Sequence, residues 1–96
     1  MTSLTKRNTV IIYSKSTCPY CKKAKKLLKD ELVPFEVIEL DKVKNSARLK
    51  ERLISETGQT TVPNIFIDEY HVGGFTDLQN LIMTGEFDEK LEDYDI

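Results

Sequence analysis

The sequence has little from which to build a metal site, a membrane segment or a nucleic-acid surface. Its 96 residues include two cysteines, one histidine and no tryptophan. A structural zinc ion takes four ligands, so Cys18, Cys21 and His71 would need a carboxylate to complete a site. No apolar run approaches the roughly 20 residues of a membrane-spanning helix. The 14 basic and 16 acidic residues leave a net charge of −2, which argues against nucleic acid or an anionic membrane as the partner.

Signals for targeting, repetition and flexible linkage are also missing. The polar segment 1–8 has no apolar stretch of the kind found in signal peptides. We therefore expect a cytoplasmic location, where cysteines stay reduced. No repeat, linker or low-complexity stretch divides the chain, and its 40% of hydrophobic residues is enough for one core. These features predict a single domain over residues 1–96.

The two cysteines lie in the motif Cys18-Pro19-Tyr20-Cys21, between an apolar run and an alternating basic and apolar run. The first run predicts a strand and the second a helix. Proline suits the first helical turn, where its missing N–H would have no partner. Cys18 is therefore expected at the helix N-terminus, where free N–H groups and the helix dipole lower the pKa of a thiol. Cys21, one turn further in, is expected to be more buried.

A pair of thiols with one activated sulfur and one sheltered sulfur is suited to thiol–disulfide exchange. The first thiolate attacks a disulfide, and the second thiol releases the resulting mixed disulfide. Two alternatives remain open from the residues alone. The pair could be half of a zinc site with a carboxylate as a further ligand. It could also be a structural disulfide, although so short a loop constrains little of the unfolded chain.

Hydrophobic spacing and helix-breaking residues predict the element order β-α-β-α-β-β-α. The predicted strands cover residues 10–14, 35–40, 64–67 and 70–72, and the predicted helices cover 19–32, 46–57 and 76–84. A right-handed βαβ unit makes the first two strands parallel, and a short hairpin makes the last two antiparallel. The expected fold is α/β, with a mixed four-stranded sheet and helices on both faces. Residues 1–8 are expected to form an arm or a short helix, and 86–96 a short helix and a tail.

Amphipathic spacing also assigns the faces of the helices. In the first helix, the residues predicted to point outward are Lys22, Lys23, Lys25, Lys26 and Lys29, and those predicted to point inward are Cys21, Ala24, Leu27, Leu28 and Leu32. In the second helix, the predicted inward residues are Leu49, Leu53 and Ile54. Thr76 and Gln79 match a capping box, so the third helix is expected to begin at Thr76. His71 is expected to be exposed on the hairpin, with no catalytic role.

Three motifs together resemble the dithiol glutaredoxins. Cys18-Pro19-Tyr20-Cys21 is similar to that family's active-site motif, Thr61-Val62-Pro63 before an apolar strand is similar to its second signature, and Gly73-Gly74-Phe75-Thr76-Asp77-Leu78 is similar to its third. They occur in the family's order over nearly the whole chain. The resemblance implies a thioredoxin-like fold and a glutathione-dependent oxidoreductase. It would reduce glutathione mixed disulfides and protein disulfides, with Cys18 as the nucleophile and Cys21 as the resolving thiol.

Carried onto this sequence, the resemblance implies a glutathione site beside Cys18. Lys15 and Gln59 would meet the glycine carboxylate, Tyr20 would wall the groove, Thr61 and Val62 would pair with the cysteinyl backbone beside a cis Pro63, and Gly74, Thr76 and Asp77 would hold the γ-glutamyl end. Glutathione would be a co-substrate, with no metal cofactor. The implied partners are glutathionylated or disulfide-containing proteins, not nucleic acid or a membrane, and the chain would act as a monomer. Many family members have a cysteine where this chain has Phe75.

Two other functions remain open beside this one. A thioredoxin-type reductase would use the same pair of cysteines. Thioredoxins usually have a tryptophan before the pair, however, and this chain has none, while Lys15, Gln59 and Asp77 resemble glutaredoxin residues. An iron–sulfur carrier would bridge a cluster through the first cysteine and glutathione. Within the family, the Pro-Tyr interior of the motif generally disfavours that role.

Overall fold

Strands and helices alternate in the predicted order, and a short two-stranded ribbon is added at the ends of the chain. The computed structural model describes residues 5–94. Its elements are β1 (Thr5–Arg7), β2 (Val10–Ser14), α1 (Pro19–Asp30), β3 (Phe35–Glu39), α2 (Ser46–Thr57), β4 (Asn64–Ile67), β5 (Tyr70–Gly73), α3 (Phe75–Thr84), α4 (Glu86–Leu91) and β6 (Glu92–Tyr94).

Strand β2 lies inside a four-stranded sheet with the order β3-β2-β4-β5. It pairs in parallel with β3 and antiparallel with β4, and β4 pairs antiparallel with β5. The crossover through α1 makes the first pair parallel, and the hairpin at Asp68 and Glu69 makes the last pair antiparallel. The predicted mixed four-stranded sheet is confirmed.

The side chains of β2 alternate between two packed faces, as period-two geometry requires. On one face, Val10 and Ile12 are fully buried in a core with Ala24 and Leu28 of α1. The same core includes Ile65, Ile67, Leu78, Phe87 and Leu91. On the other face, Tyr13 lines a small cavity with Leu49 and Leu53 of α2. Helices therefore cover both sides of the sheet.

The ends of the described chain pair with each other. Strand β1 lies antiparallel to β6, with Thr5 opposite Tyr94. Asn8 continues the contact, because its backbone N–H and side-chain amide donate to the carbonyls of Leu91 and Lys90 at 2.7 and 2.9 Å. The expected arm or helix is therefore wrong for residues 5–7, and the expected tail is wrong for 92–94. Residues 1–4 and 95–96 lie outside the described residues.

Helix α1 ends two residues before its predicted end because Leu32 takes a left-handed conformation, with φ of 60°. The Leu32 N–H donates to the Lys29 carbonyl and the Val33 N–H to the Leu28 carbonyl, both at 3.0 Å. These two bonds form a Schellman motif, which closes a helix with its own backbone. The Leu32 side chain is 87% exposed, so its predicted inward position is wrong.

Three other predicted orientations are also wrong, and that of Lys25, which is half-buried rather than fully outward, is one of them. Ile54 of α2 is 42% exposed. The side of α2 that faces the sheet is centred on Leu49 and Leu53, and the next residue, Ile54, projects to one side of it. His71 is half-buried rather than exposed. Its Nε2 lies 2.8 Å from Oδ1 of the buried Asn64, so the hairpin histidine is a partner of a core amide.

Candidate active site

Cys18 is the N-cap residue of α1, as the position of Pro19 predicts. A tight turn brings the chain from β2 into the helix, with the Cys18 N–H donating to the Lys15 carbonyl at 3.0 Å. Asp41 fixes this turn by accepting hydrogen bonds from the N–H and the hydroxyl of Ser16. The Cys18 sulfur, which is half-buried, accepts a hydrogen bond from the Cys21 N–H at 3.3 Å.

These donors make Cys18 the more acidic thiol. Burial alone would raise the pKa of Cys18, but hydrogen bonds from the side chain and N–H of Cys21 and from the N–H of Tyr20 outweigh it. The positive charge of Lys15 acts in the same direction, so the pKa of Cys18 lies below its usual value. The predicted direction of this shift is confirmed. The Cys21 side chain lowers the pKa most, and the N–H groups at the open end of the helix add to the effect.

Cys21 lies one turn further into α1 and has no exposed surface. Burial raises the pKa of its thiol, and the proximity of the Cys18 sulfur raises it further. The Ser14 hydroxyl and the Lys15 N–H oppose this rise without cancelling it. The two sulfurs therefore differ as predicted, with one accessible and acidic and the other buried and protonated.

The loop before β4 packs directly against Cys18. The peptide bond between Val62 and Pro63 is cis, as the resemblance implies, and the Cys18 sulfur lies 3.7 Å from the Val62 carbonyl oxygen. The Gln59 Nε2 donates to the carbonyls of Thr61 and Pro63, both at 2.9 Å. The amide nitrogen of a glutamine side chain carries two hydrogens, and both are used here. The Gln59 side chain therefore holds this loop in place through two hydrogen bonds.

The third motif turns the chain from β5 into α3 beside that loop. Gly74 is the N-cap residue, and the Asp77 carboxylate accepts from the Gly74 N–H at 3.0 Å. Helix α3 therefore begins at Phe75, and the capping box predicted on Thr76 is wrong. A Cβ atom on Gly73, whose φ is 117°, would lie 2.3 Å from the Asp77 carboxylate, so the motif needs a glycine there.

Two aromatic rings connect the N-terminal turns of α1 and α3. Tyr20 is 56% exposed, and its ring centroid lies 6.1 Å from that of Phe75. The ammonium of Lys23 lies 4.9 Å from the centroid of the Tyr20 ring. Phe75 therefore extends the aromatic surface that begins at Tyr20.

A cavity of about 380 Å³ lies on the other side of the loop before β4. Its lining combines four of the predicted residues, Lys15, Gln59, Thr61 and Val62, with Leu40, Lys50, Leu53, Ile54, Thr60 and Asn64. Lys50 was not predicted, although its position three residues before the buried Leu53 places it on the same edge of α2. It gives the cavity a second positive charge.

The predicted site residues do not all line this cavity. Tyr20, Pro63 and Gly74 lie along the path from Cys18 to α3, and a side chain on Gly74 would come within 3.7 Å of the Pro63 carbonyl. Asp77 lines a separate cavity of about 240 Å³ between α3 and β5. Thr76 is exposed in the first turn of α3. The predicted residues therefore do not form one pocket, because Asp77 is separated from the four that line the first cavity.

Neither a membrane segment nor a metal cluster is found in residues 5–94. No helix in this part of the chain is both long and apolar enough to cross a bilayer. The same residues contain no group of three or more His, Cys, Asp or Glu side chains that could hold a metal ion.

Comparisons of the sequence and of the fold with known proteins find the same family. Residues 10–72 match the family model named Glutaredoxin. The chain is 46% identical over 86 residues to glutaredoxin 1 of Rickettsia prowazekii, covering 88% of each chain. It is 45% identical over 83 residues to glutaredoxin 3 of Escherichia coli K12, covering 86% of this chain and 96% of that protein. The crystal structure of a buckwheat glutaredoxin–glutathione complex superposes with a TM-score of 0.83 at 33% identity, covering 88% of this chain and 76% of that chain.

Proposed function

This chain belongs to the glutaredoxin family, with its thioredoxin-like fold, and is therefore a thiol–disulfide oxidoreductase; we propose that it uses glutathione to reduce glutathione mixed disulfides and protein disulfides. In this proposal Cys18 is the nucleophile and Cys21 the resolving thiol. The enzyme would work as one domain in a reducing compartment such as the cytoplasm, where both thiols stay reduced.

The observation that carries the proposal is the difference between the two sulfurs. The Cys18 sulfur is half-buried and accepts from the Cys21 N–H, so its thiolate is stabilised where a substrate disulfide can reach it. Cys21 has no exposed surface and can react only with a disulfide already formed on Cys18. Such an arrangement suits sequential attack and release.

Two routes follow from the same first step. The Cys18 thiolate attacks the glutathione sulfur of a mixed disulfide, a bond forms between Cys18 and glutathione, and the protein thiolate leaves. A second glutathione then attacks the new disulfide, which frees Cys18 and yields oxidised glutathione. On a protein disulfide, Cys18 becomes bonded to the protein, and Cys21 attacks the Cys18 sulfur to release it.

We place the glycine carboxylate of glutathione between Lys15 and Lys50, whose charges line the 380 Å³ cavity. A carboxylate there would gain charge-assisted hydrogen bonds. The backbone of Thr61 and Val62 would pair with the cysteinyl part, because the Val62 carbonyl lies 3.7 Å from the Cys18 sulfur. Tyr20, Gly74, Thr76 and Asp77 would line the γ-glutamyl side. The glutathione bound in the buckwheat structure supports a ligand of this class.

Gln59 has a different proposed role from the other polar residues of the cavity. Both of its amide hydrogens are used on the carbonyls of Thr61 and Pro63. Binding the glycine carboxylate would require it to give up one of these bonds. We therefore propose that Gln59 acts mainly by holding the Thr61–Val62 backbone in position for glutathione.

A coupled assay tests this function. The purified protein is mixed with glutathione, NADPH, glutathione reductase and a protein–glutathione mixed disulfide, and NADPH oxidation is followed. We expect turnover that saturates with the mixed disulfide. Turnover supported by a thioredoxin reductase but not by glutathione would contradict the proposal and favour the thioredoxin-type function.

A further inference from the structure

The resolving thiol must lose a proton in a place that water does not reach. Cys21 has no exposed surface, and burial raises the pKa of its thiol. If Cys21 resolves the mixed disulfide, as the proposed function requires, its sulfur forms a bond with the Cys18 sulfur. A disulfide sulfur is too weak a base to keep a proton, so the proton must pass to a neighbouring group during the step.

Ser14 is the polar side chain beside Cys21. It is the last residue of β2 and has no exposed surface. Its hydroxyl is close enough to Cys21 and to Glu39 to oppose the rise in the pKa of Cys21 and to help lower that of Glu39. In the described conformer it donates to the Lys15 carbonyl at 3.3 Å, which is long for a hydroxyl donor. The hydroxyl is therefore only weakly held there.

Glu39 provides an acceptor behind Ser14. The two residues are partners in the parallel register of β2 and β3. Oε2 of Glu39 lies 2.8 Å from the Lys25 ammonium. Its Oε1 is buried and has no hydrogen-bond partner within residues 5–94. A buried carboxylate oxygen without a donor is costly, and rotation of the Ser14 hydroxyl would provide one.

We propose that Ser14 and Glu39 form the proton path of the resolving thiol. As the Cys21 sulfur attacks the Cys18 sulfur, the bond between Cys18 and its substrate breaks and the substrate leaves as a thiolate. The Cys21 proton passes to the Ser14 oxygen, and the Ser14 hydroxyl proton passes to Oε1 of Glu39. Glu39 is then neutral beside the charged Lys25, and it returns its proton to water through its partly exposed edge.

The same path serves the reduction of the enzyme. When glutathione attacks Cys18 in the Cys18–Cys21 disulfide, Cys21 leaves as a thiolate in the protein interior. The Ser14 hydroxyl stabilises that anion by donating to it and passes it a proton. The ionised Glu39 takes up a proton from water at its partly exposed edge and relays it to the Ser14 oxygen. Burial would raise the pKa of Glu39, but the Lys25 ammonium and the nearby Ser14 hydroxyl lower it overall. The carboxylate is therefore ionised and ready to accept when the resolving step begins.

Rapid mixing with one equivalent of dithiobis(nitrobenzoate), an aromatic disulfide that releases a coloured thiolate, separates the reactions of the two thiols. Attack by Cys18 releases a first coloured thiolate, and attack by Cys21 releases a second. Ser14→Ala should slow the second phase relative to the first by about tenfold or more, since positioned proton transfer contributes at least that much. Ser14→Thr keeps the hydroxyl and should restore most of the ratio. Glu39→Gln should slow the second phase several-fold, whereas Glu36→Gln, an exposed carboxyl on the same strand, should leave the ratio unchanged.

The two phases also separate this inference from the proposed function. A wild-type protein that shows only the first phase would contradict the resolving role of Cys21. A wild-type protein with both phases, whose ratio is unchanged in Ser14→Ala and in Glu39→Gln, would overturn the proton path and leave the proposed function standing. A first phase at the wild-type rate shows that the Cys18 site is intact in a variant, so a folding defect is distinguished from a slow second step.

Discussion

The free backbone groups at the two ends of helix α1 are satisfied in different ways. At the N-terminus, the Cys21 N–H donates to the Cys18 sulfur at 3.3 Å. At the C-terminus, the carbonyls of Leu28 and Lys29 accept from backbone N–H groups of the following turn at 3.0 Å. One end uses a reactive side chain as its cap, and the other is closed by the backbone itself.

This difference shows which end of the helix can take part in the chemistry. A donor that faces a sulfur stabilises its thiolate, so the N-terminal cap changes chemistry as well as stability. A backbone cap has no titratable group, so changes at the C-terminus should affect stability alone. Substitutions in α1 and beside its two ends test this contrast, and the largest effect is expected at the N-cap sulfur.

Replacing the N-cap sulfur should abolish the chemistry. Cys18→Ser should lose both deglutathionylation and protein-disulfide reduction by at least about a thousandfold, as expected when a nucleophile is removed. The serine can still cap the helix, so the denaturation midpoint should change little. The coupled assay and a chemical denaturation curve measure the two effects. Residual activity above a tenth of the wild-type rate would show that another group attacks the substrate.

Replacing the second sulfur should separate the two routes. Cys21→Ser should keep most of its activity on glutathione mixed disulfides, because a second glutathione can free Cys18. It should lose most of its activity on protein disulfides, which require Cys21 for release. Parallel assays on the two substrate types measure the split. Equal loss of both activities would indicate a strict dithiol reductase.

Removing the positive charge near the N-terminal cap should weaken catalysis more moderately. Lys15 lowers the pKa of Cys18 and lines the proposed carboxylate site. Lys15→Ala should lower kcat/KM for a glutathione mixed disulfide by a factor that corresponds to a loss of about 1.5–3 kcal/mol in transition-state stabilisation. We expect the lower end of this range because Lys15 is exposed. Lys29→Ala, which removes an exposed lysine from the last turn of α1, is the control. A similar loss in both variants would exclude a local role for Lys15.

A change at the C-terminal cap should alter stability and leave activity as it is. Leu32 has φ of 60° and an exposed side chain, so its left-handed conformation strains the backbone without compensating burial. Leu32→Gly should raise the free energy of unfolding by about 0.5–1 kcal/mol. Leu32→Ala keeps a Cβ atom and should give no such gain. Chemical denaturation compares the three proteins, and a gain with alanine but not with glycine would contradict the strain argument.

Much of the fold could be predicted because its signals are local. The apolar run before Cys18 and the proline after it place a strand, a cap and a helix in sequence. The right-handed crossover and the short hairpin then determine the pairing of the sheet. The position of Cys18 and the direction of its pKa shift followed from these same local features.

The features that were missed depend on contacts between distant parts of the chain. Pairing of β1 with β6 joins two polar segments that carry no apolar periodicity. Lys25 was assigned to the solvent face of α1, yet it is half-buried because Glu39 approaches it from β3. Lys50 joins the cavity only once α2 packs beside the loop before β4. The spacing of residues along the sequence gives no information about these long-range contacts.

The left-handed cap at Leu32 was missed for a different reason. The usual signal for such a cap is glycine, and leucine gives none, while Pro34 indicates a helix end two residues too late. Similarly, Thr76 matched a capping box, but the turn after Gly73 lets Asp77 cap through the Gly74 N–H instead. In both cases tertiary structure overrides the residue preference.

A titration of the two thiols shows most directly whether the N-terminus of α1 makes Cys18 the more acidic sulfur. Thiolate absorbance against pH on Cys21→Ser reports Cys18, and on Cys18→Ser it reports Cys21. We expect Cys18 to ionise below the usual pH of a thiol and Cys21 above it. The rate of attack by Cys18 should rise with pH only until its thiolate is fully formed. Equal pKa values, or a higher one for Cys18, would contradict the claim that the open end of α1 activates this sulfur.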